Sequence, residues 1–340
     1  MEAPRPHLMQ RKRGRDALGT AGGTAALRKS AHSRAAVQSQ TVRIEIDPKS
    51  SRDVCELQWG ADLYSRPRTL EEAVHVLTRQ GGQILSGGTD FFPALGDRLA
   101  PDRVVDISGL TEIKGITIEP NCILLGGLTT WTEVVDAPLP QCFDALKSAA
   151  REIGGIQIQN RGTIAGNLCN ASPAADGVPP LLALDAEVEL VSASGRRRMA
   201  LADFIVGNRK TLRRPDEILA SVIVPRGLED AASAFLKLGA RRYLVISIAM
   251  VAAVVKVDNT GRVAEARVAV GSCSVAAQRL TALEGALAGA PARPGLGAVA
   301  LAEHLAELSP IDDVRATAIY RNQAVLTLVG RALDACVGDR

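Results

Sequence analysis

Apolar residues first recur at helical spacing in the segment after Leu70. Ala73, Val74, Val76 and Leu77 form one face. Thr69 with Glu72 three residues on is a capping-box pattern, and Gly81-Gly82 closes the segment. Gln83–Ser86 predicts a short strand. It runs into Gly87-Gly88-Thr89-Asp90, then a short helix, then a strand over Arg103–Ile107. A strand over Cys122–Gly126 precedes a helical segment, Thr130–Asp136, and Gln141–Ile153 is an amphipathic helix with Phe143, Leu146, Ala150 and Ile153 on one side. This strand–loop–helix alternation predicts α/β structure.

The stretch Gly154–Gly177 has no apolar period and reads as a long loop, a kind of connection that is usually functional or disordered. Val178–Leu184 is predicted helical, Glu187–Val191 and Leu219–Val224 are predicted strands, and Ser194-Gly195 is a turn. Gly and charged residues interrupt the pattern at Arg226–Asp230, which places a domain boundary at 228/229. Beyond it, Ala234–Leu238, Ile246–Val257 and Arg262–Val270 have strand character. Ala282–Leu287, Gly297–Ala306 and a long Asp312–Cys336 are predicted helices. The expected architecture is α+β: residues 58–228 as one domain, and 229–340 as a smaller one with an antiparallel sheet backed by helices.

Residues 1–57 carry no sustained period, apart from one candidate strand at Thr41–Ile46, and are expected to be a disordered basic extension. Residues 1–52 hold eleven Lys or Arg against four Asp or Glu, a net +7. The whole chain is +3, so the remainder is −4. Nucleic-acid binding by the extension is an open alternative, but the absence of interleaved aromatics favours a solvated tail, and no nucleic-acid partner is expected. Aromatics are 3% of a chain that is 46% hydrophobic, so the core must be aliphatic. No apolar run approaches the roughly 20 residues that span a bilayer, and no secretory leader follows the basic N-terminus, so a cytoplasmic protein is expected. Cys55, Cys122, Cys142, Cys169, Cys273 and Cys336 form no C-x-x-C pair and are expected to be reduced and mostly buried. His7, His32, His75 and His304 sit beside no nucleophile or acid at useful spacing. No triad, metal motif, dinucleotide fingerprint or P-loop is present, so the chemistry is expected to come from a cofactor.

Two segments are shaped like ligand-binding backbone. Gly87-Gly88-Thr89-Asp90 follows a strand and precedes a helix, and its amides can form an anion-binding nest; an ordinary left-handed turn is the alternative. Asp90 would repel an anion, so its side chain is expected to turn away and cap the helix at Phe91, with Pro93 in the first turn. Thr163–Asn167 offers a hydroxyl, backbone amides and a carboxamide for a second grip; a purely structural loop is the alternative. Asp176 can accept from hydroxyls or a ring N–H, or can cap the helix at Val178. Lys237 lies in the apolar run AFLKLG and can either snorkel or face a ligand. Arg241 and Arg242 are expected at the surface.

From Tyr64 to Arg331 these motifs together resemble the FAD-binding (medium) subunit of molybdenum hydroxylases, the xanthine dehydrogenase and carbon monoxide dehydrogenase family. LSGGTDFFPAL is similar to the first FAD loop, VVDISGL to the strand and turn after it, and QNRGTIAGNLCNASPAAD to the second loop. FIVGNRKTLRRPDEIL resembles the end of the FAD region, and AFLKLGARR with VAAVV resembles the C-terminal domain. The resemblance implies a PCMH-type FAD-binding domain of two α/β subdomains and a small C-terminal domain, with non-covalent FAD. The implied contacts are Leu85, Ser86, Gly87, Gly88, Thr89, Asp90 and Phe91 in the first loop. Ile153 would pack near the flavin, and Thr163, Ile164, Ala165, Gly166 and Asn167 would form the second loop. Asp176 is the implied acid, Leu219 an apolar contact, and Lys237 a basic contact favouring the anionic reduced flavin. Ala165 stands where the family usually has Gly. With no cysteine cluster in the FAD region, no [4Fe–4S] cluster is expected. The implied partners are a large molybdopterin subunit and a small subunit with two [2Fe–2S] clusters, in a dimer of heterotrimers that relays electrons through FAD to a terminal acceptor. A stand-alone flavin oxidase and a flavin-free scaffold subunit are the alternatives. Such oxidases often attach FAD through a histidine in the first loop, and none lies near Gly87-Gly88.

Overall fold

The computed structural model describes residues 64–98 and 101–338; the expectations for the basic extension, including the strand at Thr41–Ile46, lie outside the described residues. The chain begins with β1 (Tyr64–Ser65), α1 (Leu70–Gln80), β2 (Gln83–Leu85), α2 (Phe91–Leu95) and β3 (Val104–Asp106). The three strands form a small parallel sheet in the order β1-β3-β2. α1 buries Leu70, Ala73, Val74 and Leu77, spaced to fall on one side of a 3.6-residue helix, together with Val105 and Ile107. Its cap is half of a box. Thr69 Oγ1 accepts from the Glu72 amide at 3.1 Å, but the Glu72 carboxylate takes the amide of Arg68, not that of Thr69.

Next come β4 (Ile116–Ile118), β5 (Cys122–Gly126), α3 (Trp131–Asp136), α4 (Asp144–Glu152), α5 (Ile156–Gln159), α6 (Ile164–Asn170) and α7 (Val178–Ala183). β6 (Glu187–Ser192), β7 (Gly195–Ala200), α8 (Leu201–Phe204), β8 (Ile205–Gly207), β9 (Lys210–Thr211) and β10 (Ile218–Pro225) follow. The five-stranded sheet, β4-β5-β10-β6-β7, is antiparallel throughout, unlike the parallel sheet that strand–helix alternation suggests and that the first three strands form. The stretch 154–177, expected as one long loop, contains two short helices, α5 and α6.

The rest is β11 (Ala232–Leu238), β12 (Ala249–Val257), β13 (Val263–Gly271), β14 (Gln278–Arg279), α9 (Thr281–Leu287) and α10 (Ala318–Val337). Single 3₁₀ turns at Leu296–Val299 and Ala302–Leu305 replace the helix expected over 297–306, and the last helix starts at Ala318, not near Asp312. β12 explains its own unbroken apolar run. Ala249, Val251, Ala253 and Val255 face the core that includes Val325, Val329 and Leu333 of α10. Met250, Ala252 and Val254 face the core that includes Ala149 of α4 and Leu181 of α7. A strand covered on both faces has no polar side to alternate with. The C-terminal sheet is thereby seated on the helices that carry the site.

Candidate functional site

A cleft of about 1130 Å³ opens where the first sheet, α4–α6, β10 and the C-terminal sheet meet. It is larger than the ~300–1,000 Å³ of most small-molecule pockets. Ser86 through Phe91, Ile153, Thr163, Ala165, Gly166, Asn167, Asp176, Leu219 and Lys237 all line it. Two residues named with them do not. Ile164 is fully buried in the core, and Leu85 sits under the first loop, 3.5 Å from where a Cβ on Gly88 would lie.

The two glycine-bearing segments pack directly on one another. A Cβ on Gly87 would fall 2.0 Å from the carbonyl oxygen of Arg161, so only glycine permits this approach. Ser86 and Thr163 join hydroxyls at 3.2 Å. Gly88 holds φ +74°, a conformation glycine reaches without strain. The amides of Gly87, Gly88 and Thr89 donate to no acceptor among the described residues. A turn that exposes consecutive free amides is the nest expected of an anion site.

The second segment has a different character. Thr163 is the N-cap of α6, and its hydroxyl accepts from the Gly166 amide at 3.1 Å. The amides of Ile164 and Ala165 donate to Thr129 and Gly127 carbonyls at 3.0 and 2.9 Å, and that of Asn167 to the Thr163 carbonyl. Four of its five backbone donors, those of Ile164 to Asn167, are therefore occupied, and the segment is a support fastened to the sheet edge. Ala165 lies in a right-handed helix, so the left-handed freedom of a glycine is not required of it. What the segment still offers is the hydroxyl pair and Asn167, whose buried Oδ1 has no partner among the described residues. Such an orphan acceptor fits a ligand hydroxyl or N–H.

Asp90 occupies the N-cap position of α2 without capping it. Its carboxylate instead takes Arg209 Nη1 at 3.0 Å. Asp176 and Lys237 are not separate contacts but a buried ion pair at 2.6 Å. Ser247 Oγ donates to the other Asp176 oxygen at 2.6 Å, and Lys237 also donates to the Glu152 carbonyl at 3.1 Å. Burial pushes the Asp176 carboxyl above its ordinary range, against the opposing pull of Lys237 and Ser247. The cation expected to act on a ligand is thus largely balanced by its own carboxylate. Cys169 also lines the cleft; burial raises its thiol to about 11, so it stays protonated and unreactive.

Sequence reasoning missed Ser247 and the basic hairpin rim, Arg209, Lys210 and Arg213, which also line or adjoin the cleft. The charge run NRKTLRR between apolar strands was the available signal for the rim. Ser247 carried none. Arg241 and Arg242 are exposed, as expected. Among the described residues no cluster of three or more His, Cys, Asp or Glu could hold a metal, and no helix is long and apolar enough to cross a membrane.

A glycine cradle, an orphan acceptor and a cleft of this size fit a dinucleotide, and the comparisons agree. A family model described as the FAD binding domain in molybdopterin dehydrogenase matches residues 56–227, and one described as the CO dehydrogenase flavoprotein C-terminal domain matches 234–336. The chain is 41% identical to the nicotinate dehydrogenase FAD-subunit of Eubacterium barkeri over 57% of this chain and 69% of that protein. It is 32% identical to a putative xanthine dehydrogenase FAD-binding subunit of Escherichia coli K12, over 81% of this chain and 95% of that one. The structure of carbon monoxide dehydrogenase from Hydrogenophaga pseudoflava aligns with a TM-score of 0.74 at 28% identity, covering 81% and 96% of the two chains. The chain belongs to the family of FAD-binding subunits of molybdopterin dehydrogenases.

Proposed function

We propose that this chain binds FAD non-covalently in the cleft, with the diphosphate against the Ser86–Asp90 loop, and acts as the electron-transfer subunit of a molybdenum hydroxylase. The observation that carries the reading is the pairing of a loop with free amides, Gly87 to Thr89, with a rigid support that leaves it one open side. FAD supplies the redox chemistry when bound, accepting electrons and passing them on.

The chain's own residues bind and tune. The Gly87–Thr89 amides hold negative charge without a full counter-charge, and the Ser86–Thr163 hydroxyl pair and Asn167 add donors and an acceptor beside them. Ile153 and Leu219 give the cleft apolar contacts that exclude water. The Asp176–Lys237 pair, oriented by Ser247, sets a fixed local dipole in a low-dielectric wall. Burial holds the Asp176 carboxyl above its ordinary range, and Lys237 and Ser247 pull it back. No side chain of the cleft is asked to act as a nucleophile.

The partners of this reading are a large molybdopterin-binding subunit and a small [2Fe–2S] subunit, assembled as a dimer of heterotrimers in the cytoplasm. The test is a visible absorption spectrum of the purified chain, then release and identification of the flavin. Stoichiometric FAD supports the reading. A folded, colourless chain that cannot be reconstituted with FAD refutes it.

A further inference from the structure

We propose that Arg209 is the cation that neutralises the FAD diphosphate, held ready at the cleft rim by Asp90 and Asn170. This rests on the FAD reading above. The amides of the first loop offer only partial charges, while the one ionised side chain within the loop, Asp90, is an anion that would oppose a diphosphate. The geometry resolves that conflict. Arg209, from the turn between β8 and β9, places Nη1 on both Asp90 Oδ2 and Asn170 Oδ1. Its Nε and Nη2 have no partner among the described residues, and it lines the same cleft as the glycine loop.

Lys210 and Arg213 line the same cleft, but among the described residues neither hydrogen-bonds Asp90 or Asn170 as Arg209 does. Arg213 commits Nη1 to the carbonyls of Arg214, Pro215 and Glu217, and Arg197 forms a fork with the buried carboxylate of Glu217 at 2.6 and 2.8 Å. Those contacts brace the hairpin. Arg209 itself has φ +54°, a left-handed conformation that is strained for a residue with a Cβ. Its own amide is fastened to the Ala171 carbonyl at 2.8 Å, directly after α6. The fold therefore holds a strained arginine at a fixed point between the two binding segments, where an unstrained glycine would serve if only a turn were needed.

The Asp90–Arg209 pair is half-exposed, with side chains 49% and 54% accessible, so it contributes little to stability and exchanges readily. A guanidinium can keep one nitrogen on a carboxylate and present the others to a phosphate in fork geometry.

The test uses the full chain stripped of flavin, titrated with FAD and with riboflavin, which lacks the diphosphate. Arg209→Gln is expected to weaken FAD about ten- to a hundredfold, the range of a lost charge-assisted hydrogen bond, and to leave riboflavin within about twofold. Asp90→Asn, which frees Arg209 while removing the anion, is expected to tighten FAD. Equal weakening of FAD and riboflavin by Arg209→Gln would overturn the assignment, as would weakening of FAD by Asp90→Asn to the same degree, because either marks Arg209 as a structural latch. If the unsubstituted chain binds neither flavin, the FAD reading fails first and this inference with it.

Discussion

The two segments that look alike in sequence, Ser86–Asp90 and Thr163–Asn167, do opposite things. Each is rich in small residues and interrupts an apolar pattern. The first leaves the amides of Gly87, Gly88 and Thr89 without partners among the described residues, while the second satisfies those of Ile164 to Asn167 internally or on the sheet edge. A buried donor without a partner costs about 1–3 kcal/mol, so an open nest persists only where solvent or a ligand completes it. The second segment makes this possible. The Arg161–Gly162 backbone that leads into it is the floor on which Gly87 rests, and the Thr163 hydroxyl meets that of Ser86. Small residues thus mark close approach in one place and ligand access in the other, and only the count of spent amides separates the two.

The sharpest way to break this arrangement is to separate the segments. Gly87→Ala puts a methyl 2.0 Å from the Arg161 carbonyl, a backbone atom that cannot swing aside. The loop must lift off its floor, at a cost of about 1–3 kcal/mol or more. The purified variant is expected to lose nearly all bound FAD, seen as loss of visible absorbance per mole of folded chain. Normal flavin content would show that the packed geometry is not the binding geometry. Gly88→Val acts on the other side of the same loop. It sets a β-branched residue at φ +74°, with its Cβ 3.1 Å from the Phe92 ring, and is also expected to abolish flavin retention.

Next in size is the ion pair at the far end of the cleft. Lys237→Ala removes the partner of a buried carboxylate, a change that typically costs about 3–5 kcal/mol when the charge stays behind. The variant can relieve that cost by protonating Asp176. The sign follows from the direction of the shift. A carboxyl raised in the folded state stabilises the fold at low pH and loses that contribution as pH rises through the folded-state value. Without Lys237 that value rises further. The stability deficit of Lys237→Ala relative to the parent should therefore be smaller at pH 5 than at pH 8 in denaturant titrations. A deficit independent of pH would mean that Asp176 stays ionised in the variant. In the holoprotein the flavin potential should move down only slightly at low pH, where the neutral acid replaces a balanced pair, and further at high pH.

These contrasts show what the sequence could and could not disclose. The glycine pair, the N-cap of α1 and the strand into the first loop were all legible, because each depends on residues within a few positions. The antiparallel order β5-β10-β6 was not, since β10 pairs with strands far away along the chain and carries no local mark of direction. α6 was hidden for another reason. Ile164 and Leu168 are its only large buried apolar residues, and Gly166, Asn167 and Asn170 weaken the helical period. The Asp176–Lys237 pair joins residues 61 positions apart, and no local pattern ties the Lys237 charge to the carboxylate that shares it. Arg209 lies within a basic run in which Arg213 instead bonds the carbonyls of the hairpin's own return. Charge was visible in the sequence, but its direction was not.

The support segment can be weakened without touching the nest. Thr163→Val removes the hydroxyl that caps α6 and meets Ser86 while keeping the side-chain volume. A lost N-cap costs about 0.5–2 kcal/mol, which for a chain of this size is a fall of roughly 2–4 °C in Tm per kcal/mol. FAD affinity should fall by less than it does in Gly87→Ala, because the Gly87–Thr89 amides remain open. An equal loss of flavin would place the main grip on the Thr163 hydroxyl.

The smallest effect is expected at Ala165, where the resemblance drawn from the sequence implies glycine. If that position needed glycine for backbone reasons, this chain would bind FAD poorly and Ala165→Gly would repair it. The structure argues otherwise. Ala165 is in the first turn of a right-handed helix, its amide is fixed to the Gly127 carbonyl, and it is buried to 6% exposure. Glycine there gives up helix-forming preference and a small buried methyl, a loss of about 0.5–1 kcal/mol. Ala165→Gly should therefore lower Tm by a few degrees and leave FAD affinity within a factor of two. A gain of tenfold or more in FAD affinity would show that the methyl intrudes on the ligand, and that the support segment limits binding as much as the open loop promotes it.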